Sequence, residues 1–217
     1  MKKAGVKGNC YLCGAELGGT AMKNHLVNAH TAEGEEEVLL LKAEGAYNKN
    51  YWIYLDIPVT ATLKTLDAFL RKIWLECCGH MSGFHYGQHE RIGMGRKIEN
   101  FLPGERLNYD YDFGDTTELL VSVLAEARRP AQKEAVRLLA RNVPPELTCC
   151  KCGKPAEFIC TLCMYETDDL FYCGECAGSH EHEDYLLPVT NSPRMGSCAY
   201  DGELDVFAFN PAGVTGR

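Results

Sequence analysis

The sequence predicts an α+β chain: a central small sheet with a packed amphipathic helix and a β-hairpin, flanked by small cysteine- and histidine-rich modules. Three observations lead there. Apolar residues alternate over residues 51–57 and again over 106–113, which is the period of a strand. Between them the apolar positions follow a helical period, and paired cysteines crowd both ends of the chain.

The elements follow in order. Tyr51, Ile53, Leu55 and Ile57 point one way and Trp52, Tyr54 and Asp56 the other, a half-buried strand with a partly aromatic outer face that Pro58 ends. Leu63, Leu66, Phe69, Leu70, Ile73, Trp74 and Cys77 then form one stripe over about four turns, with Thr62 placed as N-cap and Gly79 as stop. A short strand is expected around residues 84–86. Over residues 106–113, Leu107, Tyr109, Tyr111 and Phe113 share one face, and Arg106, Asn108, Asp110 and Asp112 share the other. Gly114 and Asp115 make a turn, and residues 118–126 return as the second strand of a hairpin.

At 217 residues and 46% hydrophobic, the chain can bury a core of ordinary size and still carry satellites. The acidic stretch Glu33-Gly34-Glu35-Glu36-Glu37 and the Pro144-Pro145 turn divide it into segments 1–34, 46–142 and 147–217. Neither an internal repeat nor a low-complexity tract is evident. Lys2, Lys3 and Lys7 precede no apolar stretch, and nowhere do about 18 apolar residues run together, so a soluble, unexported, cytoplasmic protein without a membrane partner is expected. The net charge of -8 is uneven: residues 1–32 carry four lysines against one glutamate, residues 148–217 four basic against eleven acidic side chains. So acidic a tail repels phosphate and points toward a protein partner, with nucleic acid weakly supported.

Eight of the twelve cysteines fall in four Cys-x2-Cys pairs, a spacing that suits a metal better than disulfides in a reducing compartment. Cys10, Cys13, His25 and His30 have the ligand types and spacing of a two-cysteine, two-histidine zinc finger, with Gly14 in the turn and Leu17 and Met22 as its small apolar core. The helix positions that would read bases are Gly18, Ala21 and Asn24, of which only Asn24 could hydrogen-bond a base edge, so a structural or protein-contacting finger is the better reading. At the other end Cys149, Cys152, Cys160, Cys163, Cys173, Cys176, His180 and His182 offer eight ligands in four pairs. Cross-bracing would assign Cys149, Cys152, Cys173 and Cys176 to one zinc and Cys160, Cys163, His180 and His182 to another. This order resembles B-box-type zinc fingers, although the closing histidines are closer together. Cys150 in place of Cys149, Asp184 or Cys198 in place of a histidine, and a one-zinc ribbon all stay open. Two to three Zn2+ ions are expected in total, in closed four-ligand sites that leave no position for a reacting water.

Other constellations are weaker. Cys77, Cys78, His80, His85 and His89 crowd together, but their spacing fits no metal template and reads better as packing at a helix end. Asp110, Asp112 and Asp115, with His85 or His89 nearby, would suit a Mg2+- or Mn2+-dependent nuclease or recombination accessory protein, against the plainer reading of a solvated hairpin face. Gly93-Met94-Gly95-Arg96-Lys97 lacks the context of a phosphate loop and reads as a mobile connection. Arg128, Arg129, Arg137 and Arg141 make only a modest basic stripe.

Leu66-Asp67-Ala68-Phe69-Leu70-Arg71-Lys72-Ile73-Trp74, then Glu76-Cys77-Cys78-Gly79-His80, and above all Tyr109-Asp110-Tyr111-Asp112-Phe113-Gly114-Asp115 together resemble the plasmid pRiA4b ORF-3-like family over about residues 46–140. The stretch from Leu187 to Cys198 looks like the tail of its zinc-containing members. The resemblance implies a compact α+β fold and an association with plasmids and insertion elements. Neither a recombinase nucleophile with its arginine cluster nor a helix-turn-helix pattern is present, so the expectation is a non-enzymatic zinc-binding interaction protein.

Overall fold

The computed structural model describes residues 6–30, 34–87 and 90–214. Glu33 of the acidic stretch, His89, Lys2 and Lys3 lie outside them. Among the described residues twelve strands occur in chain order: β1 Lys7–Cys10, β2 Glu16–Gly18, β3 Glu36–Gly45, β4 Trp52–Pro58, β5 Ser82–Tyr86, β6 Glu90–Ile92, β7 Arg106–Tyr111, β8 Thr117–Arg129, β9 Arg137–Asn142, β10 Phe158–Cys160, β11 Phe171–Tyr172 and β12 Leu186–Pro188. The first nine form one sheet in the order β2-β1-β9-β4-β3-β8-β7-β5-β6, and the last three a second sheet in the order β11-β10-β12. All registered pairs are antiparallel. The architecture is α+β, but the central sheet is large rather than small.

Two strands that carry no alternation account for much of the difference. β3 begins inside the acidic stretch and runs Val38-Leu39-Leu40-Leu41, buried on both faces, so its apolar residues are continuous. β9, which contains Arg137 and Arg141 of the basic stripe, pairs with β4 on one side and with β1 on the other. Through that second pairing the N-terminal hairpin becomes part of the central sheet. At Gly8 a β-carbon would stand 2.2 Å from the Arg141 carbonyl oxygen and 2.4 Å from the Trp52 ring, so only glycine allows the two backbones this close.

Both faces of the sheet are covered. On one lies α2, Leu63–Leu70, whose Leu63, Leu66 and Leu70 pack with Ile53, Leu55, Tyr109 and Val121. On the other lies α1, Gly19–Ala29, whose Met22 and Leu26 pack with Leu40, Trp52, Tyr54 and Leu139. The aromatic outer face of β4 is therefore not exposed: Trp52 and Tyr54 form the floor on which the finger sits, and Tyr54 donates to the Gly19 carbonyl at 2.7 Å. Burying each such ring contributes on the order of 2–3 kcal/mol, which makes the finger a structural layer of the core.

Three local expectations change. α2 continues as a π turn, Arg71–Leu75, and stops before Cys77, the Glu76 amide reaching back to the Arg71 carbonyl. Its first amides are capped not by the Thr62 side chain but by the carbonyls of Arg96 and Met94, which accept from Leu63 and Lys64. The glycine-rich loop thus holds the helix in place and is itself fastened. β7 ends at Tyr111, because Asp112 adopts φ 66 and breaks the alternation. Asp112 turns inward at 7% exposure while Phe113, expected beside Tyr111 in the core, is 46% exposed.

Beyond β12 the tail returns to the central domain. Ser192 donates to the Trp74 carbonyl at 2.6 Å, Arg141 holds Asp205, and Phe207 meets Phe69 with ring centroids 5.2 Å apart. The first and third segments are both attached to the middle one.

Candidate metal centres

Both Cys-x2-Cys-Gly sequences fold into the same small turn. The Gly14 amide donates to the Cys10 carbonyl at 2.8 Å and the Cys10 amide to the Ala15 carbonyl at 2.9 Å. Likewise the Gly153 amide donates to the Cys149 carbonyl at 2.9 Å and the Cys149 amide to the Lys154 carbonyl at 2.8 Å. Each turn needs a left-handed residue at its end, and Gly14 (φ 77) and Gly153 (φ 75) supply it. The result aims two thiols at one point. This geometry favours Cys149 over Cys150 as the member of its cluster.

α1 completes the first set. His25 lies within it and His30 at its C-terminal cap, with Cys10 Sγ 3.6 Å from His30 Nε2, Cys13 Sγ 3.2 Å from His25 Nε2, and the two Nε2 atoms 3.0 Å apart. Zinc bond lengths in a tetrahedron require edges of about 3.8 Å between two sulfurs, about 3.6 Å between sulfur and nitrogen and about 3.3 Å between two nitrogens. The set fits a zinc-sized ion.

The C-terminal eight divide into two sets. Cys149, Cys152, Cys173 and Cys176 converge, with Cys152 and Cys173 sulfurs 3.6 Å apart; Cys176 comes from the short helix α4, Gly174–Ala177, and Cys173 from just before it. Cys160, Cys163, His180 and His182 make the other, Cys163 opening the short helix α3, Cys163–Glu166. In it Cys163 Sγ lies 3.4 Å from His180 Nε2, while His182 turns Nδ1 toward Cys160 (3.9 Å) and Cys163 (3.7 Å). The use of Nδ1 answers the short spacing of the closing histidines. The Tyr172 ring stacks on His180 at 4.2 Å and fixes the imidazole plane. Interleaved pairs hold a module whose own apolar cluster is only Cys160, Cys163, Tyr172 and Ala177 with a few partly buried neighbours.

A fourth set combines residues that the sequence reading kept apart. Cys77, Cys78 and His80, from the loop after α2, meet Cys198 from the tail. In every set the donor atoms lie within 4.8 Å of one another. His85 is elsewhere, its Nδ1 2.6 Å from the Gly87 carbonyl. The signal for this set was Cys198 itself, a cysteine outside every pair, but a partner 118 residues away cannot be read from spacing.

Without metal the thiols of one cluster do not ionise alike. Burial opposes ionisation of Cys149, yet the amides of Cys173, Lys151 and Cys152 outweigh it and bring the thiol down to about 6. Hydrogen bonds to Cys152 and Cys173 hold Cys176 up at about 12. A cation entering this cluster would displace the protons of the remaining thiols, the usual coupling of metal affinity to pH.

The carboxylates of the hairpin do not converge. Asp110 lines a groove of about 800 Å³ with His85, whose Nε2 lies 3.1 Å from Asp110 Oδ2 without hydrogen-bond alignment. Asp112 accepts from the Gly114 amide at 3.0 Å and from Arg194 at 2.8 Å, while Asp115 is exposed and offers its backbone carbonyl to Arg194. Among the described residues these three acids form no group within metal-binding distance.

Among the described residues, fold and sites together define an α+β protein with a nine-stranded antiparallel sheet and four Cys/His clusters that could each hold a metal ion. Among the described residues no helix is long and apolar enough to cross a membrane. The chain is similar in structure to a protein of unknown function from Methanosarcina mazei Go1, at 18% identity and a TM-score of 0.41, over 48% of this chain and 68% of that one. No protein-family model matches the chain. Nor does any curated protein.

Proposed function

We propose that the chain is a zinc-binding, non-enzymatic interaction protein of the cytoplasm, of the plasmid pRiA4b ORF-3-like type associated with mobile elements, built to present surfaces to a protein partner. The observation that carries the reading is that the twelve Cys and His residues at the two ends of the chain gather into three closed sets with zinc-like spacing. Four protein ligands leave no open coordination position, which suits structure rather than hydrolysis. Thiolate-rich donors select zinc over magnesium or manganese.

The partner surface is best sought on the C-terminal module. Its acidic balance repels phosphate, and it leaves Met164, Tyr165 and Tyr185 exposed on α3 and on the turn whose carbonyl binds the Thr161 amide. The finger, by contrast, spends its helix face on the sheet: Met22 and Leu26 are buried against Trp52 and Tyr54. Elemental analysis of protein purified without added metal tests the reading. At least three zinc ions per chain are expected, and protein folded without zinc would overturn it. A salt-sensitive affinity for duplex DNA would redirect the partner assignment to nucleic acid.

A further inference from the structure

We propose that Cys77, Cys78, His80 and Cys198 hold a further zinc ion, and that this ion buckles the C-terminal tail across the turn that follows β7. The choice of metal rests on the reading of the other three clusters; the existence of the site rests on its own geometry. Cys78 Sγ lies 3.7 Å from Cys77 Sγ, 3.4 Å from Cys198 Sγ and 2.9 Å from His80 Nε2, and Cys198 Sγ lies 3.5 Å from the same nitrogen. Three of the four are near the edges of about 3.6–3.8 Å that a tetrahedral zinc with sulfur and nitrogen ligands requires, and the Cys78–His80 contact is shorter.

Two further observations point to a ligand. Cys198 stands at φ 52, a left-handed conformation that costs a residue with a side chain on the order of 1 kcal/mol or more and is maintained where something holds it. It directs the thiol back to the loop at 78–80. The tail also reaches the site along a fastened path: Ser192 is bound to the Trp74 carbonyl, and Arg194 is buried completely beside Cys77, its guanidinium 3.6 Å from Cys77 Sγ. Three thiolates around Zn2+ leave one net negative charge, and Arg194, which Asp112 also binds, brings a cation beside it.

The donors come from the central domain and from the tail, so the ion would close a loop of more than one hundred residues that includes the whole C-terminal zinc module. Its role would be to keep the tail from peeling away from the central domain.

Native mass spectrometry of the full chain counts the ions. The wild type is expected to carry four zinc ions, Cys78→Ser and Cys198→Ser three each, and Cys150→Ser, which alters a cysteine outside all four clusters, four. In both three-zinc variants amide exchange should accelerate over residues 190–214 and stay unchanged in β3 and β4. A wild type with three zinc ions, unaltered by Cys198→Ser, would overturn this site and leave the other three standing. Wild type without zinc would overturn the broader reading along with it. A Cys78–Cys198 disulfide in protein purified under reductant would also overturn the site.

Discussion

Arg194 Nη2 lies 2.8 Å from Asp112 Oδ2, and this pair joins the tail to the turn after β7. The guanidinium also donates to the Asp115 carbonyl and to Thr117 Oγ1, each at 3.0 Å, and stands 4.8 Å from the centre of the Tyr111 ring. The turn is shaped as a socket for one arginine. Asp112 adopts its left-handed backbone there because its carboxylate binds both Arg194 and the Gly114 amide. Burial works to raise the Asp112 carboxyl, but Arg194 and the amides of Gly114 and Asp115 outweigh it and hold it below the usual carboxylate range.

Removing one partner of such a pair strands the other. Arg194→Met is expected to destabilise the protein by about 3–5 kcal/mol, because Asp112 then remains enclosed without its cation. Asp112→Asn keeps the shape and can still accept from Gly114, so a smaller loss is expected. Urea unfolding of both variants checks the order; equal stability of Arg194→Met and wild type would refute the socket.

How far the sequence revealed this arrangement depends on which residues carried the signal. α2, β5, β7 and β8 were legible because their periodicity survives wherever one face meets the core, and β4, although buried on both faces, kept an alternation of aliphatic and aromatic or acidic residues. β3 and β9 were not, because both of their faces are covered and alternation disappears. Cys10, Cys13, His25 and His30 were legible as a group, but the segment that carries them was not legible as a layer of the sheet, since the pairing of Cys10 with Ala140 leaves no mark in spacing. Asp112 read as one of three solvated acids; its inward turn depends on an arginine 82 residues away. Interleaving proposed the two C-terminal groups among several open pairings and the fold brings those residues together, whereas the place of Cys198 required the fold.

Gly8 should tolerate no side chain. With its β-carbon only 2.2 Å from the Arg141 carbonyl oxygen, Gly8→Ala must part β1 from β9 or displace the Trp52 ring. The expected cost is about 1–3 kcal/mol, as for other overpacked sites. Gly18→Ala, with open space around it, should cost much less, and thermal melts of the two variants should separate clearly.

Alkaline titration gives a further check. Burial pushes Tyr51 and Tyr200 up to about 12, whereas an unfolded tyrosine ionises near pH 10. The folded state therefore keeps protons that the unfolded chain releases, so this stabilisation is whole below about pH 10 and is lost as pH rises toward 12. Absorbance of tyrosinate from Tyr51 and Tyr200 should therefore appear together with unfolding. A single smooth titration centred near pH 10 in folded protein would show that Tyr51 and Tyr200 are not enclosed as described.

The two tryptophans report separately on the finger and the core. Trp52 lies under the finger, in contact with the cluster of Cys10, Met22 and Leu26, while Trp74 is wholly buried on the α2 side of the sheet. If Cys10, Cys13, His25 and His30 hold a metal as proposed, a unit this small depends on it for its fold. Chelation should therefore lift α1 from the sheet and admit water to Trp52, leaving Trp74 enclosed by Leu66, Leu70 and the strands beneath. In a Trp74→Phe variant the emission should move to the red when a zinc chelator is added and return when Zn2+ is restored. In a Trp52→Phe variant the same additions should change the spectrum little. Cys13→Ser, which alters an exposed ligand and none of the core, should reproduce the red shift of Trp52 without chelator. Emission of Trp52 that stays constant through chelation would mean that packing alone holds the finger to the sheet.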